Sequence, residues 1–96
     1  MKRIAVFGNA GGGKSTLARQ LAELTQLPLY PLDTIQYKPG GGQLPHAEYL
    51  NGHKELLRRD AWIIDGFGSV ASARERFSAA DTLIYIARRL VRGMRR

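Results

Sequence analysis

Eight consecutive residues, Gly8-Asn9-Ala10-Gly11-Gly12-Gly13-Lys14-Ser15, have the types and spacing for phosphate chemistry. They match G-x-x-x-x-G-K-[ST], a loop that cradles phosphates between a strand and a helix. Glycines let a backbone curl until several N–H groups face one anion. Lys14 brings a cation to the terminal phosphates, and the Ser15 hydroxyl is a hard oxygen ligand for a magnesium ion held among them. Thr16 follows at the same helix start and completes the nucleotide-holding set, Gly8 to Thr16. A helix opening straight from the loop adds the favourable end of its dipole. The plainer reading of these residues is a glycine-rich turn with Lys14 in solvent, and the flanking sequence weighs against it.

Those flanks are a strand before and a helix after. Ile4-Ala5-Val6-Phe7 is an apolar run suited to a buried strand, and Leu17, Ala18, Leu21 and Leu24 then recur at helical spacing. Two acids stand out further along. Asp65 closes the apolar stretch Ala61-Trp62-Ile63-Ile64-Asp65, where a carboxylate can hold magnesium directly or through water. Taken alone, Asp65-Gly66 is also ordinary turn chemistry. Asp33 closes Leu29-Tyr30-Pro31-Leu32-Asp33, where it can bind or deprotonate an acceptor hydroxyl, or merely begin the turn before Thr34. Lys14, Asp33 and Asp65 are therefore the expected catalytic set, with Ser15 and Asp65 on the metal. Arg74 and Arg76 lie near the same rim, as phosphate grips or as solvated arginines. His46 and His53 have no partner ligands at metal spacing and read as surface or half-buried helix residues. Trp62 reads as core.

The elements that must position these groups alternate. Residues 3–7 are expected as a strand, 8–15 as the loop and 15–25 as a helix that ends at Gln26-Leu27-Pro28. The stretch 29–33 is expected as an edge strand because of its two prolines. A flexible loop spans 34–42, and a helix runs from Pro45 to about Asp60. Strand 61–65, a short helix opened by a capping box at Ser72-Ala73-Arg74-Glu75 and running to about Ala79, and strand 82–86 complete the pattern. The residues from Ala87 onward could extend as a helix weakened by Gly93. This order implies an α/β fold with a parallel sheet and right-handed crossovers. Ligands bind at the carboxyl ends of such strands, where the loop, Asp33 and Asp65 all fall.

Composition bounds the rest. The chain has 96 residues, 44% of them hydrophobic, and is expected as a single nucleotide-binding domain, 1–96. No run reaches the length of a membrane span, and Met1-Lys2-Arg3 leads directly into the first strand with no secretory leader. The lack of cysteine excludes disulfide and thiolate chemistry and fits a cytoplasmic protein. Net charge is +7, but Arg88 to Arg96 hold five arginines and no acid, and seven less these five leaves +2. The basic tail suits weak contact with phosphates or nucleic acid, or simply a solvated terminal helix.

Gly8 to Ser15, Leu32-Asp33 and Trp62-Ile63-Ile64-Asp65-Gly66 together resemble the adenylate kinase-like P-loop kinases, and among them the bacterial topology modulation protein-like proteins. The resemblance covers residues 1 to about 86. It implies a three-layer α/β core with strand order 2-3-1-4, ATP with magnesium, and phosphoryl transfer to a small acceptor. By position it assigns phosphate binding to Gly13, Lys14 and Ser15, magnesium to Asp65, and the acceptor region to Asp33. Adenylate kinases follow their Asp-Gly-Phe with proline and arginine, where this chain has Gly68 and Ser69. Their lid, fifth strand and adenine loop have no counterpart before Arg96, so Arg88, Arg89 and Arg92 would stand in for the lid's first arginines. Without a fifth strand, strand 82–86 is expected to offer an apolar edge for a second copy. Three functions fit: phosphoryl transfer from Mg-ATP to a small molecule, nucleotide binding without turnover, and association with nucleic acid through the arginine tail.

Overall fold

The computed structural model describes residues 1–8, 14–38 and 40–86. Their element order is β1 (Arg3–Gly8), α1 (Lys14–Thr25), β2 (Leu29–Pro31), α2 (Asp33–Gln36), α3 (His46–Leu57), β3 (Trp62–Asp65), α4 (Val70–Ala79) and β4 (Thr82–Ile86). The four strands form one parallel sheet in the order β2-β3-β1-β4. Both the α/β class and the strand order agree with expectation, and β2 lies at an edge as its prolines require.

The centre of the sheet is β1 beside β3. Ile4, Ala5, Val6, Trp62, Ile63 and Ile64 are all fully buried, the signature of parallel strands covered on both faces. Alternation divides them between two layers. Ile4, Val6 and Ile63 meet Ala18, Leu21 and Ala22 of α1. Ala5, Trp62 and Ile64 meet Tyr49 and Leu56 of α3, Leu32, and Phe77 of α4. The result is a helix–sheet–helix sandwich. Each fully buried aliphatic side chain contributes about 1.5–3 kcal/mol of transfer free energy. Trp62 is core as expected, its indole N–H reaching the Leu57 carbonyl at 3.4 Å.

The end of α1 at Thr25 agrees with expectation, while other boundaries differ for local reasons. Helix α1 ends on Gln26, a non-glycine residue at φ 63 whose N–H bonds the Ala22 carbonyl at 2.9 Å. Strand β2 stops at Pro31, because Leu32 turns into helical geometry and gives its N–H to the Asp65 carbonyl at 2.9 Å. Asp33 therefore does not end a strand; it opens the single-turn helix α2, which runs on into the stretch 34–42 expected as loop. Beyond it, Tyr37 and Gln43 form an isolated antiparallel bridge. Pro45 caps α3 from outside, and the helix ends at Leu57. The capping box of α4 is Ser69 with Ser72, not Ser72 with Glu75. Ser72 occupies the third helical position and bonds back to Ser69, so the helix begins three residues earlier than expected.

Candidate functional site

In a parallel sheet all carboxyl ends lie along one edge, and register fixes what meets there. Val6 and Pro31 both pair with Asp65, and Gly8 pairs with Ile86. Strand β1 thus runs two residues beyond the level of Asp65 before delivering the chain to the loop. Gly8 has φ 152, and a Cβ on it would run into the Ile86 carbonyl oxygen. Glycine is needed there because β4 approaches so closely, a packing reason separate from phosphate binding.

Of the remaining loop residues, Asn9, Ala10, Gly11, Gly12 and Gly13 lie outside the described residues, as do the side chains of Lys14 and Ser15. The backbone at Lys14 starts α1, so the loop connects the carboxyl end of β1 to a helix N-terminus of the kind that favours anions. Thr16 is exposed in the first turn. Arg88 to Arg96 also lie outside the described residues.

Asp65 is only 6% exposed. Its backbone is held on both sides: its carbonyl accepts from Leu32, and the next N–H, of Gly66, bonds Val6 at 3.0 Å. Asp33 lies at the same edge of the sheet but in solvent. The two carboxylates are joined through Leu32, which is buried next to Asp33 and packs on the Asp65-Gly66 turn so closely that a Cβ on Gly66 would sit 2.9 Å from its Cβ. Among the described residues no three of His, Cys, Asp and Glu gather into a metal cluster. One buried carboxylate at the end of the strand next to β1 is nevertheless a donor that suits magnesium, since that ion takes its other ligands from phosphates and water. The residues fit the ion on those terms.

The principal surprise is polar. His53, expected at the surface or half-buried, and Arg76, expected as a phosphate grip or a solvated arginine, are both fully buried; Arg74 is exposed, as is His46. Arg76 Nη1 meets His53 Nε2 at 2.9 Å, and Nη2 donates to the Phe67 carbonyl at 2.6 Å and the Gly66 carbonyl at 3.2 Å. Burial first and the Arg76 charge second pull the His53 pKa from 6.5 down to about 4, against the opposing pull of Glu75. His53 is therefore neutral near pH 7 and accepts from Arg76 through Nε2, which puts its proton on Nδ1, 3.9 Å from Glu75 Oε1. Burial also lowers the Arg76 pKa, opposed by the Tyr49 hydroxyl. Next to this pair the Tyr49 hydroxyl and Ser72 Oγ are 2.7 Å apart. The sequence carries a signal for this cluster: Tyr49 and His53, like Ser72 and Arg76, are four apart and share a helix face. Apolar periodicity ignores such polar members.

No protein-family model matches the chain, and no curated protein matches it by sequence. Solved structures do. A shikimate kinase from Aquifex aeolicus is similar at TM-score 0.63 and 18% identity, over 85% of this chain and 61% of that one. A gluconokinase from Sinorhizobium meliloti is similar at TM-score 0.56 and 19% identity, over 90% of this chain and 56% of that one. The chain thus spans about three fifths of the length of these kinases. Over that span it has a P-loop kinase-like α/β fold with a four-stranded parallel sheet. Among the described residues no helix is long and apolar enough to cross a membrane.

Proposed function

We propose that this chain is an ATP-binding, P-loop kinase-like domain, 1–96, that transfers the γ-phosphoryl group of Mg-ATP to a small-molecule acceptor. The observation that carries the reading is the placement of a G-x-x-x-x-G-K-S stretch between β1 and α1 with Asp65 on the adjoining strand end. Backbone N–H groups of Gly8 to Gly13, with Lys14 and Thr16, bind the phosphates; Ser15 and Asp65 hold the magnesium ion, which supplies charge neutralisation. Asp33 orients the acceptor hydroxyl and takes its proton as that oxygen bonds to the γ-phosphorus and the bond to the ADP oxygen breaks. Positioning and electrostatics do most of the work. The resemblance to adenylate kinase-like and topology modulation protein-like proteins supports the nucleotide. Gly68 and Ser69, in place of proline and arginine, argue for an acceptor other than a nucleoside monophosphate. The cysteine-free composition supports a cytoplasmic setting, and Arg88 to Arg96 support weak phosphate or nucleic-acid contact.

The rival reading is nucleotide binding without turnover. Calorimetric titration with Mg-ATP, beside Lys14→Ala and followed by ADP release over a panel of polyhydroxylated acceptors, tests both. We expect Lys14→Ala to weaken binding by about tenfold or more, the loss of a charge-assisted contact. A folded Lys14→Ala protein with undiminished affinity sinks the nucleotide reading. Binding without ADP release from any acceptor selects the rival.

A further inference from the structure

A wholly buried arginine is expensive unless its charge is matched, and apolar residues of similar volume commonly fill such a space at lower cost. Arg76 is wholly buried, and among the described residues none of its hydrogen-bond partners is a carboxylate. Neighbouring Glu75 turns instead to Lys54, at 3.1 Å. The guanidinium rests against the Phe77 ring, 5.5 Å from its centroid; its Nη1 meets a neutral histidine and its Nη2 two carbonyls, while Nε has no partner among the described residues. Those carbonyls belong to the two residues immediately after Asp65.

The same turn is gripped from its other sides. Gly66 N–H is bound to Val6 on β1. Gly68, at φ 71, lies so close to the Tyr49 hydroxyl and Ser72 Oγ that a Cβ would run into the first and sit 2.9 Å from the second. Ser69 is tied into the α4 cap. Helices α3 and α4 therefore close on the turn, and Arg76 is the side chain that bonds its peptide planes.

We propose that Arg76 is a positioning residue: held by His53, it fixes the Gly66 and Phe67 carbonyls and so sets the direction of the Asp65 carboxylate at the end of β3. The proposal rests on the reading of Asp65 as a magnesium ligand. It explains why a costly cation is kept where an apolar residue would pack: a fork with two donors on one nitrogen can hold two successive carbonyls, and a methionine cannot.

The test uses the full chain, Arg76→Met, and Arg76→Lys, which keeps charge but loses the fork. One readout needs no nucleotide: amide exchange at residues 66–69, compared with β1 amides. The other is the gain in ATP affinity on adding magnesium to metal-free protein. For Arg76→Met we expect exchange across the turn to rise about tenfold while β1 amides hold, a local opening. The magnesium-dependent gain should fall about tenfold with metal-free affinity within about twofold, as for supports behind a metal ligand. Arg76→Lys should lie between, and carries the test if Arg76→Met does not fold. Unchanged exchange and an undiminished magnesium gain overturn the proposal, as does an equal loss of affinity with and without magnesium. If the unaltered chain binds no ATP at all, the nucleotide reading and the metal role fall together, and the exchange readout decides whether Arg76 locks the turn.

Discussion

His53 is where pH meets stability. The fold accepts it neutral: protonation would set an imidazolium 2.9 Å from the Arg76 guanidinium in a buried site. Its folded pKa, about 4, lies below the ordinary 6.5. The unfolded chain therefore binds the extra proton between those values, and stability is full above about pH 6.5 and lost as pH falls toward 4. The loss reaches about 3 kcal/mol. Asp81 extends the acid sensitivity lower. Its carboxylate accepts from the N–H groups of Lys2 and Arg3, which hold its pKa at about 2 instead of 3.8, so its contribution is present above 3.8 and fades toward 2. Urea midpoints measured from pH 7 to 4 should fall for the unaltered chain and stay flatter for His53→Gln. Equal slopes for the two proteins would rule out His53 as the sensor.

At the scale of elements, helix α1 ends at a cost. Gln26 adopts the left-handed geometry that glycine takes freely and other residues take at about 1 kcal/mol. Its side-chain amide repays part of this by donating to the Glu23 carbonyl at 2.8 Å. Gln26→Gly should leave the fold unchanged and raise stability by about 0.5 kcal/mol, read as a higher urea midpoint at constant slope. A lower midpoint would mean that the amide bond outweighs the backbone strain. This helix also separates what sequence reveals from what it hides. The apolar runs located β1, β3 and β4 because parallel strands covered on both faces leave few alternatives, and β4 at Thr82–Ile86 has the expected ends. Proline near Gln26 marked the end of α1, but the left-handed step that ends it depends on one amide and left no pattern. Ser69 was missed as a cap because its partner at the third position is serine, not the usual glutamate. Arg76 and His53 were misplaced for a deeper reason: a charged residue type predicts exposure until the partners that bury it are known, and those partners come from another helix and a turn.

Over the whole molecule, the two faces of β4 are treated differently. Ile84 and Ile86 pack into the layer under α1, while Leu83 and Tyr85 on the other face are 52% and 59% exposed. Tyr85 leans on Phe7, with ring centroids 5.3 Å apart, and Phe67 stands exposed near Phe77. Such an apolar margin beside a strand with one described neighbour favours association with a second copy. Sedimentation velocity should give a mass that rises with concentration, and Leu83→Glu should hold the chain monomeric. A monomer at every concentration would refute this. The strand order has another consequence. Strand β1 lies between β3 and β4, and Asp81 ties down the backbone of Lys2 and Arg3 across 79 and 78 positions of sequence. Strand β1 is therefore flanked on both sides only once β3 and then β4 are available, so the sheet closes through contacts far apart in sequence, the kind that slow folding.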